Sequence, residues 1–173
     1  MLSIDWDVIL ANHGQMVIQA AMRILGCQPD AEDVAQEVFM EAFSTSKLPS
    51  RVPIRNWGAY LRKLTVFRAI DRRRQRYKNP TISLDQLTLQ GFSAHDEVVR
   101  QELKENLRSL VASLPEREGV VFALRYFEQL SNPEIAETLG ISVGAVAAAI
   151  HKAHLKLETA LTSYAEGEKN EKA

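Results

Sequence analysis

Apolar residues recur at three- and four-residue steps over most of this chain, and each such run predicts a helix. Trp6, Ile9, Leu10, Val17, Ala20, Ala21, Ile24 and Leu25 predict a first helix, with Gly14 as a candidate break. Gly26 to Pro29 reads as a turn, and Asp30-Ala31-Glu32-Asp33 opens a second helix with acids where the helix dipole favours them. Its stripe is Val34, Ala35, Val38, Phe39, Ala42 and Phe43, and a loop with two prolines runs from Ser44 to Pro53. The chain turns helical again from Ile54, through Trp57, Tyr60, Leu61, Leu64, Phe67 and Ile70. From Asn79 to about Asp96 no periodicity holds, and Pro80, Gly91 and several Ser and Thr depress helix, which predicts a flexible linker. Glu97 to Leu114 is amphipathic through Val98, Val99, Leu103, Leu107, Leu110 and Val111. Leu114-Pro115-Glu116 is a break and restart, and Val120 to Phe127 supplies a core for the last third of the chain.

The most specific local signal begins at Ser131. Ser131-Asn132-Pro133-Glu134 has a capping Ser, a Glu three residues on and a Pro in the first turn, where its missing N–H is harmless. Ile135, Ala136 and Leu139 give the short helix its packing face, and Gly140 suits a terminus that needs φ > 0. Ser142 can cap the next helix, whose apolar positions are Val146, Ile150, Leu155 and Leu157. Ala136, Gly140 and Val146 thus form a scaffold: a small residue for close approach, a turn, and a pin. This spacing predicts a helix-turn-helix, whose second helix can lie in a DNA major groove.

The expected fold is all-α: two small helical domains joined by a flexible linker. The boundaries are 1–78, a linker at 79–96, a second domain at 97–165 and a polar, frayed tail at 166–173. Composition changes this picture little. The 173 residues carry a net charge of −1, so any nucleic-acid surface must be local. The lone cysteine, Cys27, cannot form an internal disulfide and reads as a small core residue at a helix end. No apolar run is long enough to cross a membrane, and Asp5 and Asp7 interrupt any signal-peptide pattern, so a cytoplasmic protein is expected. There is no glycine-rich phosphate loop, no paired cysteines at metal spacing and no HExxH, so no enzyme, cofactor or metal is expected. His151 and His154 lie three apart without a third ligand nearby, and read as surface or DNA-facing residues.

Charge is sharply local in the first half. The second helix shows Glu32, Asp33, Gln36, Glu37 and Glu41 opposite its apolar stripe. The third is basic: Arg62, Lys63, Arg68, Arg72, Arg73, Arg74, Arg76 and Lys78 face one acid, Asp71. Arginines interleaved with Trp57, Tyr60 and Phe67 suit a nucleic-acid backbone, with aromatics able to stack on unpaired bases, though Trp57 and Leu61 also suit a core.

Taken in order, the run Asp30 to Phe39, the segment Trp57 to Arg74 ending Ala69-Ile70-Asp71-Arg72-Arg73-Arg74, then Leu114-Pro115, Leu124-Arg125-Tyr126-Phe127, Glu134-Ile135-Ala136 and Leu139 to Gly144 resemble a bacterial RNA polymerase sigma factor of the two-domain extracytoplasmic-function (ECF) type. The resemblance covers nearly the whole chain. It implies a subunit that directs core RNA polymerase to promoters. Asp33, Gln36, Glu37 and Met40 would meet the β′ clamp helices. Arg62, Lys63, Phe67, Arg68, Arg72, Arg73, Arg74 and Arg76 would hold the melted minus-ten element, with Arg72, Arg73 and Arg74 expected to be exposed. The linker would run towards the active centre and RNA exit channel. The second domain would sit on the β flap and read the minus-thirty-five element through Ser142, Val143, Ala145, Ala147, Ala148, His151 and Lys152. An anti-sigma factor would be a further partner, and the chain would be a monomer outside the holoenzyme.

Two departures stand out. Val66-Phe67 replaces an Arg-Asn pair frequent in the family, and Ala145-Val146-Ala147-Ala148-Ala149 replaces a polar run in the recognition helix. Alanine can touch a thymine methyl but pairs with neither guanine nor phosphate. Lys at 147 and Arg at 149 are therefore expected to strengthen promoter binding. Two other functions stay open on the residues alone. One is a dimeric helix-turn-helix regulator, which needs neither the acidic nor the basic helix. The other is a sigma-like interaction protein with weakened promoter recognition.

Overall fold

The computed structural model describes residues 4–48, 53–78 and 96–171. These form seven helices: α1 (Trp6–Leu25), α2 (Gln28–Ser46), α3 (Trp57–Lys78), α4 (Asp96–Ser113), α5 (Glu116–Tyr126), α6 (Asn132–Leu139) and α7 (Val143–Glu171). The expected linker falls almost wholly outside the described residues.

Helices α1, α2 and α3 make an N-terminal bundle whose periodic stripes meet in one core: Val17, Ile24 and Leu25 from α1, Val34 and Val38 from α2, and Leu61, Val66 and Ile70 from α3. The side chain of Asp5 accepts from the N–H groups of Asp7 and Val8 and so starts α1. Gly14 does not break it, because the apolar stripe on either side outweighs the modest cost of one interior glycine. Gly26 ends it at φ 71°, its N–H donating to Met22 O. A side chain there would also collide with Arg108, since an added Cβ lies 2.7 Å from its Nη1. Helix α2 starts at Gln28, earlier than the acids suggest, because Pro29 occupies its first turn rather than a loop. It continues to Ser46, into the expected loop. Trp6, Phe43, Trp57 and Tyr60 stack edge to face, with centroids 5.2–6.0 Å apart, and close one end of the bundle.

Helices α4 to α7 form the second group. Val111, Leu114, Phe122, Ala153 and Leu157 make a core of their own. Gly119 lets the end of α4 come close: an added Cβ would lie 2.9 Å from Val111 O. The core of the first bundle does not stop at its edge. Val120, Val121 and Leu124 of α5, Ile135 and Ala136 of α6, and Val146 and Ala149 of α7 belong to the same apolar cluster as Leu61 and Ile70. The two groups therefore pack directly on one another, with α3 against α4, α5 and α6. The segment read as a frayed tail remains helical to Glu171.

Candidate nucleic-acid and polymerase interface

The helix-turn-helix forms as its local chemistry dictates. Ser131 Oγ accepts from Glu134 N at 3.4 Å, and Glu134 Oε2 accepts from Ser131 N at 2.7 Å, a complete capping box. The Ser131 hydroxyl also donates to Glu134 Oε2 at 2.7 Å, and this bond, with the one from Ser131 N, holds the Glu134 carboxyl below its ordinary pKa. Gly140 turns at φ 66°, Ile141 N donates to Ala136 O at 3.0 Å, and Ser142 Oγ caps α7 through Ala145 N at 3.1 Å. Helices α6 and α7 are bent 107° to one another, within the range of this motif. Ala136 and Val146 are buried where the scaffold needs them.

On α7, Ser142, Val143, Ala147, Ala148, His151 and Lys152 are exposed and Ala145 is half-buried. Ala149 is a correction. It lies in the core at 5% exposure, so an Arg there would bury a charge rather than reach DNA. His154 is exposed but not bare: its Nε2 is 2.8 Å from the Tyr126 hydroxyl, and its ring packs on Phe122.

In the first bundle, α2 and α3 run side by side and their charges pair along their length. Arg76 meets Asp30, Arg72 lies 3.6 Å from Asp33 and 2.6 Å from Glu37, and Arg68 Nε donates to Glu41 at 2.9 Å. The hydrogen bond to Glu41 raises the Arg68 pKa further above its ordinary value. Asp33, Gln36 and Glu37 remain exposed on the outer side, next to Met40, which is 70% exposed. The acids expected to meet polymerase and the arginines expected to meet DNA are thus partners of each other.

The other side of α3 overturns an expectation. Arg73 is buried at 2% exposure, because α1 ends and α4 passes at that point and both offer acceptors. Its Nη1 donates to Leu25 O at 2.9 Å, and its Nη2 to Glu105 Oε1 at 2.5 Å and Ser109 Oγ at 3.0 Å. Arg74 is half-buried. Its Nε donates to Ala112 O at 2.8 Å and its Nη2 to Leu114 O at 2.6 Å, filling carbonyls that the end of α4 leaves open. Arg72 is only 27% exposed. Arg62 Nε faces Glu128 Oε2 at 3.4 Å, and that carboxylate also takes Arg23 Nη1 at 2.7 Å. Lys63 and Phe67 are half-buried, Phe67 against the core. Trp57 and Tyr60 belong to the aromatic cluster that closes the bundle, so the reading of Trp57 as core stands and that of both rings as free base platforms does not.

Glu105, Ser109 and Glu128, which hold these arginines, carry no signal in the sequence. They are ordinary polar residues on exposed-looking stretches, and only the packing of the two halves gives them a role.

Family models assign this architecture. Residues 9–79 match Sigma-70 region 2, and residues 104–157 match Sigma-70, region 4. The chain is 31% identical to the ECF RNA polymerase sigma factor SigW of Bacillus subtilis, over 83% of this chain and 82% of that protein.

The chain belongs to the ECF sigma factor family.

It is also 28% identical to the ECF RNA polymerase sigma factor SigE of Mycolicibacterium smegmatis, over 92% of this chain and 63% of that longer protein. Among solved structures it is similar to CnrH in complex with the cytosolic domain of CnrY, at 25% identity and a TM-score of 0.56, covering 91% of this chain and 88% of that one. This sigma factor directs promoter recognition in transcription initiation, and neither the dimeric regulator nor the interaction protein is favoured. Among the described residues no cluster of side chains could hold a metal ion, and no single helix is long and apolar enough to cross a membrane.

Proposed function

We propose that the exposed side of α2 docks on the polymerase β′ clamp helices through Asp33, Gln36, Glu37 and Met40, while α3 holds the melted minus-ten strand. The observation that carries this reading is the abutment of one acidic and one arginine-rich helix, with Arg72 bridging Asp33 and Glu37. Arg62, Arg68, Arg72, Arg74 and Arg76 supply phosphate contacts once their protein partners are exchanged for DNA. Arg73 is a structural residue of the closed form. Helix α7 faces the minus-thirty-five element, and its exposed Ala147 and Ala148 favour thymine methyls and groove shape over hydrogen-bonded base readout. Ala147→Lys should strengthen promoter binding and steepen its salt dependence; no change in either would reject contact at that position.

The β flap fits an open apolar groove on the second group, lined by Phe122, Tyr126, Leu157 and Leu161. The protein acts as a non-catalytic, cytoplasmic subunit that is monomeric outside the holoenzyme. An anti-sigma protein is a reasonable partner, because the similar CnrH is solved with a second protein, CnrY. The test is run-off transcription with core polymerase on fragmented genomic DNA, with sequencing of the transcript starts. Discrete starts that depend on this chain support the reading, and their aligned upstream DNA shows what α7 reads. Core binding without any start would reject promoter selection.

A further inference from the structure

Helix α2 turns one face outward. Asp33, Gln36, Glu37, Met40 and Ser44 recur at three- and four-residue steps and are all exposed, while Val34, Ala35, Val38 and Ala42 point into the core. Met40 lies in the middle of that face, with polar residues before and after it along the helix. At 70% it is the most exposed large apolar residue among those described. The other described methionines are better covered: Met16 packs against the first core, and Met22 on α1 is 38% exposed. One apolar side chain inside a polar ring has the anatomy of a docking hot spot, an anchor that a partner buries and a rim that stays wet. Part of the rim is already in place, since Arg72 holds Asp33 and Glu37 from α3.

The anchor is a thioether, which packs like a hydrocarbon chain but can be oxidised. Its sulfur attacks an oxygen of a peroxide; the S–O bond forms as the O–O bond breaks. The sulfur is oxidised by two electrons, the peroxide is reduced to water, and the charge of the protein does not change. The product is a polar sulfoxide. In the free protein Met40 already stands in water, so the change costs the fold nothing. A partner that must bury the side chain bears the whole cost. We infer that Met40 is a modification site: a peroxide converts its thioether to the sulfoxide, and the sulfoxide loosens α2 from core RNA polymerase while the fold stays intact. This inference rests on reading α2 as the docking helix. The single thiol, Cys27, is half-buried at the start of α2 and competes for the same oxidant. Dithiothreitol returns a sulfenic acid or a disulfide to the thiol, whereas methionine sulfoxide needs its reductases, so the two chemistries separate.

The full chain is treated with hydrogen peroxide and returned to dithiothreitol. Peptide mass mapping then locates the added oxygen, and fluorescence anisotropy of the chain, labelled at its N-terminus, gives its affinity for core RNA polymerase. The oxygen should enter Met40 ahead of Met22 and Met16, and the melting temperature should not move. Core binding should weaken roughly tenfold, the affinity equivalent of the lower end of one methionine's burial. Methionine sulfoxide reductases should restore it. Met40→Leu, compared with itself before and after peroxide, should keep its affinity, and Met22→Leu should lose affinity as the wild type does. Oxygen on Met40 with unchanged affinity overturns the inference. So does oxygen entering Met16 or Met22 first, an equal loss by Met40→Leu, or a loss that comes with a lower melting temperature. Untreated Met40→Asp separates this failure from that of the docking reading. Weaker core binding by Met40→Asp, with no effect of the sulfoxide, keeps α2 as the docking helix and rejects the oxidation alone. Unchanged binding by Met40→Asp, and by Asp33→Ala with Gln36→Ala, rejects the docking helix itself.

Discussion

The two sides of α3 carry the same side chain and use it in opposite ways. Towards α2, Arg68 and Arg72 pair with carboxylates at the surface, where water screens each pair and one partner can be exchanged for another at little cost. Towards the second group, Arg73 lies out of water, with a carboxylate, a hydroxyl and a backbone carbonyl around it. Removing one member of that set strands the rest. Adjacent arginines are therefore unlike residues: Arg72 can be traded, and Arg73 is fixed in the seam between the two helical groups.

The sharpest way to break this contrast is to truncate each in turn. Arg73→Ala should cost about 2–4 kcal/mol in a denaturant titration, because Leu25 O, in the core, loses its side-chain donor and a cavity remains where the guanidinium lay. Arg73→Lys should recover only part of this, since an ammonium cannot span the forked arrangement. A cost for Arg73→Ala below about 0.5 kcal/mol would mean that the seam opens freely.

Next in size is a local feature that should ignore the seam. Ser131→Ala removes a cap from α6 and should cost about 1 kcal/mol by the same titration. Asp33→Ala with Gln36→Ala, and separately Arg72→Ala, should each change stability by less than about 1 kcal/mol, and the Arg72 effect should shrink further in salt. The first pair should nevertheless weaken binding to core polymerase. Unchanged binding would reject α2 as the docking helix.

The smallest expected effect is in acid. The Glu134 carboxyl is held below its ordinary pKa by hydrogen bonds from Ser131. The unfolded chain then takes up the proton more readily than the folded one, so this contribution is complete above the ordinary carboxylate pKa and is lost as pH falls through the lowered value. Glu134→Gln should flatten the acid limb of a plot of melting temperature against pH. An unaltered limb would assign that limb to other carboxylates.

Legibility in the sequence divides along the same line. The capping box at Ser131, the turn at Gly140 and the buried Val146 were legible because each depends on neighbours a few residues away. So were the helices and the acidic side of α2. Arg73 was misread because its partners, Leu25 and Glu105, lie on other helices, and the sequence does not show that the two halves close on each other. Ala149 was misread for a smaller reason. It sits among exposed alanines, and only the turn of α7 against the first bundle distinguishes it from Ala147 and Ala148. The start of α2 shows how one proline reads both as a turn residue and as a helix opener.

Gly119 gains meaning from this contrast. It bears no charge and no side chain, yet that lack lets the end of α4 lie against α5, and Arg74 Nη2 is within 3.8 Å of where a Cβ would be. A single methyl group there would push on Val111 O and shift the carbonyls that grip Arg74. Substitutions at this silent glycine should therefore disturb the seam as those at its charged residues do. Its tolerance would be set by spacing alone.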